Sequence, residues 1–231
     1  MRSLNIFTDA SIVHTSGQFG TVGCAGYVSA VGEDGDTKLK TLDKYCTILL
    51  NTTNNIAEAT GVLRAVQYAI CQRNNFDQIN IFSDSQWCIR SITTWVFGWI
   101  AIIDSNGVMY SSNQEPVKNQ NLLSEIIMEV VRSGIKLRFF HCKGHVKSDS
   151  KSIFEALKTF RNSNYIRREV HLDYNSIYIM AYYNDMIDMW TRMNCKTFCS
   201  TGMTEYPIDQ PRPFYYILNR DILETYKRLI E

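Results

Sequence analysis

The chain has 231 residues, and its 24 Lys and Arg against 23 Asp and Glu give a formal net charge of +1. That length suits one large domain or one domain with additions, and the near-neutral balance excludes a whole-chain polyanion footprint, so any nucleic-acid site has to be local. The longest apolar run, residues 95–103, is well short of the ~20 residues of a membrane span.

The first element is a buried strand, LNIFTD, which ends on Asp9. A carboxylate there is costly to bury without compensation. VGCAGYVSAV (22–31) and LKTLDKYCTILL (39–50) follow as strands, joined by a turn over Glu33 to Asp36, which suggests an antiparallel hairpin or meander. The period then changes. Ile56, Ala59, Leu63, Val66 and Ile70 recur at helical spacing, with Thr53 or Asn54 where an N-cap belongs. QINIFSD (78–84) is a fourth strand, and SQWCIRSITTW behind it a helix with Trp87, Ile92 and Trp95 on its apolar side. A further helix runs through Leu122 to Val131 and ends at Gly134, and IKLRFFHC (135–142) is a fifth strand. KSIFEALKTFR and NSIYIMAYYNDMIDMWTR read as helices, PIDQPRP as a linker after the chain loosens at Cys195, and NRDILETYKRLIE as a short amphipathic helix. The expected fold is α/β, a mixed five-stranded sheet flanked by helices.

Seven cysteines at irregular spacings, with no secretory signal ahead of the first strand, read as reduced thiols in a cytoplasmic chain. A zinc site from Cys195, Cys199, His141, Cys142 and His145 competes with scattered core cysteines, and its spacing is poor. Asp84 repeats the situation of Asp9 at the end of a β-run. If the two strands are neighbours, the carboxylates converge and repel. Carboxylate oxygens suit Mg²⁺ or Mn²⁺, which would resolve the conflict. Glu58 on the first helix and Asp188 on a late helix complete a candidate two-ion set, although an isolated Asp at a strand end is more often a turn or cap residue.

In this order the chain carries IFTDAS, TTNNIAEATGVLRA, IFSDSQWCIRSITTW, PVKNQNL, CKGH and NDMID. These resemble the type 1 ribonuclease H family, within the ribonuclease H-like superfamily, over about Leu4 to Met193. The resemblance implies an endoribonuclease that hydrolyses the RNA strand of RNA–DNA hybrids, leaving 5′-phosphate and 3′-hydroxyl ends. It implies two Mg²⁺ ions, with Mn²⁺ substituting, held by Asp9, Glu58, Asp84 and Asp188. Asp9 would bridge the ions, Asp188 would serve the water side, and Glu58 and Asp84 the leaving-group side. His145 matches the loop histidine that assists proton movement or product release. Thr53, Asn54, Asn55, Ser85, Gln86 and Lys143 match positions along the nucleic-acid surface, where Asn amides and hydroxyls reach base edges and ribose hydroxyls.

The chain also departs from that pattern. SIVHTSGQFG replaces the loop that carries an RNA-reading Asn, with Ser16 or Gln18 as substitutes. Ser91 to Val117 contains no Lys or Arg, so the basic handle of bacterial members is missing. A long stretch, 146–183, separates His145 from Asp188 and reads as a family-atypical insertion inside a catalytic domain of 1–194, followed by an extension over 195–231. That insertion, through Lys158 and Arg161, is the expected replacement clamp; a solvated lid is the bland alternative. The chain is expected to be a monomer, with its tail or the apolar 95–103 segment as the surface for a replication partner. Two other functions stay open: a nuclease of the same fold acting on DNA or branched nucleic acid, and a non-catalytic binding scaffold.

Overall fold

The computed structural model describes residues 1–15, 20–33, 38–99, 103–147, 149–164, 174–209 and 216–230. Ser16 and Gln18 in the first loop, and Arg167 and Arg168 in the stretch 146–183, lie outside the described residues.

A six-stranded mixed sheet in the order β5-β4-β1-β2-β3-β6 forms the centre. Strands β1 (Arg2–His14), β2 (Thr21–Glu33) and β3 (Lys40–Leu50) make the antiparallel meander. β4 (Gln78–Ser83) joins β1 in parallel, and β5 (Arg138–His141) joins β4 in parallel. β1 does not stop at Asp9, as the sequence suggested. Its pairing with β2 continues through Asp9↔Gly26 to His14↔Thr21, whereas its pairing with β4 ends at Thr8↔Ser83. Asp9 therefore stands where one neighbour leaves and the other stays.

The sixth strand, β6 (Ile208–Asp209), was not anticipated. Two residues are too short for any alternation to show, and they pair in parallel with Ile48 and Leu49. Pro207 carbonyl, accepting from Ile48 N at 2.9 Å and Thr47 Oγ1 at 2.9 Å, fixes that edge, and Arg64 pairs with Asp209. β5 is shorter than expected because the Leu137 N–H donates to the Leu229 carbonyl at 2.8 Å instead of to a strand.

Helix α1 (Asn54–Gln72) begins at Thr53, whose hydroxyl accepts from Ile56 N, and it buries Ala59, Leu63 and Val66. Gly61 lets it lie close to the sheet: a Cβ there would stand 3.2 Å from the Gly26 carbonyl. α2 (Gln86–Arg90) runs through a π-turn (Ser91–Trp95) into α3 (Val96–Trp99). The widened turn shifts the helical phase of the residues after it. Trp95 is left 37% exposed and Val96, at 1%, takes the buried place expected for it. α4 (Gln120–Ser133) ends at Gly134, whose φ of 65° suits a left-handed cap.

α5 (Ser150–Asn164) and α6 (Tyr174–Thr201) cover one face of the sheet, in a cluster with Phe7, Val28 and Phe82. α1, α2, α4 and α7 (Arg220–Leu229) contribute to the cluster on Leu4, Ile6, Ile79 and Ile81. Alternation along β1 thus feeds two cores. α6 continues past Cys195, where loosening was expected, because Cys195 and Phe198 pack under Val22, Cys46 and Ile48. The expected boundary at 194/195 consequently falls inside a helix. The seven cysteines are free thiols. Among the described residues, no helix is long and apolar enough to cross a membrane.

Candidate active site

Parallel pairing of β1 and β4 ends at Thr8↔Ser83, so the next residues, Asp9 and Asp84, emerge side by side. α1 crosses beside them and brings Glu58. One carboxylate oxygen from each of Asp9, Glu58 and Asp84 lies within 4.8 Å of the others. Asp9 and Glu58 are only 5% and 6% exposed. Asp9 Oδ1 accepts from its neighbour Ala10 N at 2.7 Å. Glu58 Oε2 is buried with no hydrogen-bond partner.

This electrostatic state is unfavourable as it stands. Burial, then the Asp84 charge, pushes the Asp9 carboxyl up to about 8, against the pull of the Ala10 N–H. Burial followed by Asp9 pushes Glu58 well above the carboxylate range. Asp84 is raised chiefly by burial, while the Asn184 amide pulls the other way. An orphaned acceptor and convergent buried acids are what a divalent cation would satisfy. The donor set, all oxygen, suits Mg²⁺ or Mn²⁺.

Asp188 approaches from α6 and is not part of that tight group. Its charge bears on Asp9 and Glu58, but its two oxygens accept from Arg192 at 2.9 and 2.7 Å. His145 Nδ1 lies 3.9 Å from Asp188 Oδ2 with its side chain 69% exposed. The loop holding it is tight: His145 has a φ of 52°, and a Cβ at Gly144 would overlap the Asp84 carboxylate.

The expected nucleic-acid residues divide between helix starts and open surface. Thr53 and Ser85 cap α1 and α2, with Ser85 Oγ accepting from Cys88 N at 3.3 Å. Asn54, Asn55 and Gln86 are exposed beside them. Lys143 is exposed and within 3.9 Å of Glu155 on α5. Lys158 and Arg161 lie on the exposed face of α5, opposite the buried Ile153, Ala156, Leu157 and Phe160. Two residues were not singled out from the sequence. Asn184 donates to Asp84 Oδ2 at 3.4 Å and accepts from the Cys142 thiol at 3.5 Å. Arg192 clamps Asp188 from one turn further on. Their i, i+4 spacing around Asp188 was the available signal.

The family model described as RNase H matches residues 1–154. Ribonuclease HI of Haemophilus influenzae is 31% identical over 156 residues, covering 68% of this chain and 87% of that protein. Ribonuclease H of Rickettsia massiliae is 32% identical over 99 residues, 43% of this chain, and the match spans 58% of that relative's length. A PFV RNase H domain solved in solution aligns with a TM-score of 0.49 at 18% identity, over 71% of this chain and 95% of that one.

Proposed function

The chain belongs to the ribonuclease H family, and from that premise we propose that it hydrolyses the RNA strand of RNA–DNA hybrids endonucleolytically, with two Mg²⁺ ions for which Mn²⁺ substitutes. The observation that carries the reading is the buried Asp9–Glu58–Asp84 group with its orphaned Glu58 oxygen. A scaffold has no use for three converging buried acids whose carboxyls burial pushes up.

When bound, divalent cations supply Lewis acidity toward the scissile phosphate and offset the charge of the acids. The chain's own residues do the rest. Asp9, held by the Ala10 N–H, and Glu58, carried by α1, would hold the cations that face the scissile phosphate. Asn184 orients Asp84 through its amide. Asp188 would join this set from α6, with Arg192 as the partner it has in the meantime. The exposed His145 imidazole, 3.9 Å from Asp188, would take a proton from the attacking water or hand one to the departing 3′-oxygen. Thr53, Asn54, Asn55, Ser85 and Gln86 stand at the starts of α1, which carries Glu58, and α2, which follows Asp84, and would read the ribose 2′-hydroxyl and minor-groove edges. The products would be 5′-phosphate and 3′-hydroxyl ends.

The test is cleavage of a labelled RNA–DNA hybrid, duplex DNA and duplex RNA, each with and without Mg²⁺ or Mn²⁺. Metal-dependent cleavage confined to the RNA of the hybrid is expected. Asp9→Asn and Asp84→Asn should each lower it by about a hundredfold or more while the chain stays folded. Cleavage of duplex DNA with the hybrid untouched would overturn the substrate assignment.

A further inference from the structure

A second polar pocket, of about 490 Å³, opens between α2 with its π-turn, β5, the end of α5, and α7. Arg90, Thr93, Thr94, His141, Ser163 and Lys227 supply its polar wall. Among the described lining residues none is acidic. By contrast, the pocket beside His145 is lined by Asp149, Asp185 and Asp188. Arg90 and Lys227 are exposed, and neither has an ion-pair partner among the described residues. His141 is 9% exposed, and its Nδ1 is buried without a hydrogen-bond partner. Two cations without ion-pair partners among the described residues, together with the neighbouring hydroxyls, form an anion-binding chemistry, and the buried His141 ring forms part of the wall behind them.

The pocket is held in shape before any ligand arrives. Asn164 clamps His141 from both sides: its Oδ1 accepts from His141 N at 2.7 Å and its Nδ2 donates to the His141 carbonyl at 2.8 Å. α7 is latched by Leu137 N donating to Leu229 O at 2.8 Å. Tyr226, next to Lys227, is fully buried against Phe97, with ring centroids 6.4 Å apart. Lys227 is thereby fixed over a wall it is distant from in sequence.

Two elements connect the pocket to the acidic site. α2 starts two residues after Asp84, so Arg90 lies roughly 9 Å further along, at about 1.5 Å per residue. β5 ends at His141 and its continuation sets Gly144 against the Asp84 carboxylate. We propose that this pocket binds a backbone phosphate of the nucleic acid engaged at the acidic site, with Arg90 from α2 and Lys227 from the C-terminal helix as its charged contacts. The proposal rests on the nucleic-acid reading of the site. It gives the chain a basic contact in place of the cations missing from 91–117, and gives the C-terminal segment a part in substrate binding.

Arg90→Gln and Lys227→Gln, with Arg228→Gln as an exposed control on the same helix but outside the pocket, test it. Binding of a fluorescein-labelled RNA–DNA hybrid is measured in EDTA over a range of KCl concentrations. Each pocket variant should weaken binding about three- to tenfold and flatten the log K against log[KCl] slope by up to about 0.9, the contribution of one phosphate. Arg228→Gln should change neither. Unchanged slopes in both pocket variants would overturn the proposal. So would an NMR titration in which inorganic phosphate shifts the His141 ring signals and the hybrid does not, which would mark a free-anion site. Hybrid binding without metal-dependent cleavage would sink the catalytic reading and leave the pocket standing. Cleavage with unchanged slopes would sink the pocket alone.

Discussion

Asp9 sets the energetics of the site. It is 5% exposed, and its carboxyl is pushed up to about 8, first by burial and then by Asp84. A carboxyl raised in the folded state favours folding only in its protonated form. The unfolded chain releases that proton near the ordinary carboxylate pKa, about 4. Without metal, then, stability should fall as pH rises from about 4 to about 8, and level off above. The loss is a few kcal/mol at most, since acids this close share their protons. A divalent cation reverses the trend, because it binds the ionised form. We expect the melting temperature in EDTA to decline between pH 5 and pH 8, and the stabilisation by Mg²⁺ to be larger at pH 8 than at pH 5. Asp9→Asn should flatten the metal-free profile and raise its pH 8 end by about 2–8 °C, corresponding to about 1–2 kcal/mol, while removing cleavage. A wild-type melting temperature in EDTA that is flat across this range would contradict the burial account.

At the scale of elements, α5 shows how a helix can belong to the fold and still present a separate surface. Ile153, Ala156, Leu157 and Phe160 bury one face against β5 and α6, which leaves Lys158 and Arg161 outward. If that outer face clamps nucleic acid, the Lys158→Glu, Arg161→Glu double variant should fold normally. It should bind hybrid at least about tenfold more weakly, with a log–log salt slope shallower by about 1.8 for two lost phosphates. Equal affinity and slope would leave α5 as a cover for the sheet alone. The legibility of each element depends on its length and on its pairing partners. α1 and α4 repeat apolar residues for several turns, so both were plain. Two β-runs with acids near their ends marked Asp9 and Asp84 as candidates, but that spacing left their role open, and it was the resemblance carried by IFTDAS, TTNNIAEATGVLRA and IFSDSQWCIRSITTW that joined them with Glu58. The π-turn was not visible, because no residue type marks the insertion that turns Trp95 outward. β6 was too short to carry a period, and its pairing depends on Pro207 meeting β3 from far along the chain. Asn184 and Arg192 lay in or beside a quoted motif, yet their roles depend on which way α6 faces, which only packing determines.

Across the whole molecule, the family match ends at residue 154, but the packing does not. Leu218, Leu223 and Tyr226 belong to the same core cluster as Leu4, Ile6 and Ile81. The final helix is therefore part of the folding unit, and its apolar face is taken up by the core. Tyr226 isolates what that helix contributes, because its ring and its hydroxyl pull in opposite directions. The ring is fully buried, so Tyr226→Ala leaves a cavity against Phe97 and should cost about 3–5 kcal/mol. At a few degrees per kcal/mol for a chain of this size, that is a drop of about 6–20 °C. The hydroxyl is buried with no hydrogen-bond partner among the described residues, so it was stripped of water without compensation from them. Tyr226→Phe keeps the ring and removes that penalty, and should raise stability by about 1 kcal/mol, or about 2–4 °C. Urea midpoints of the two variants against wild type check both. A Phe variant less stable than wild type would mean that the hydroxyl has a partner, such as a buried water. An Ala variant within about 1 kcal/mol of wild type would mean that α7 packs on the domain without being needed by it, and Lys227 would then lose the fixed position on which its phosphate contact depends.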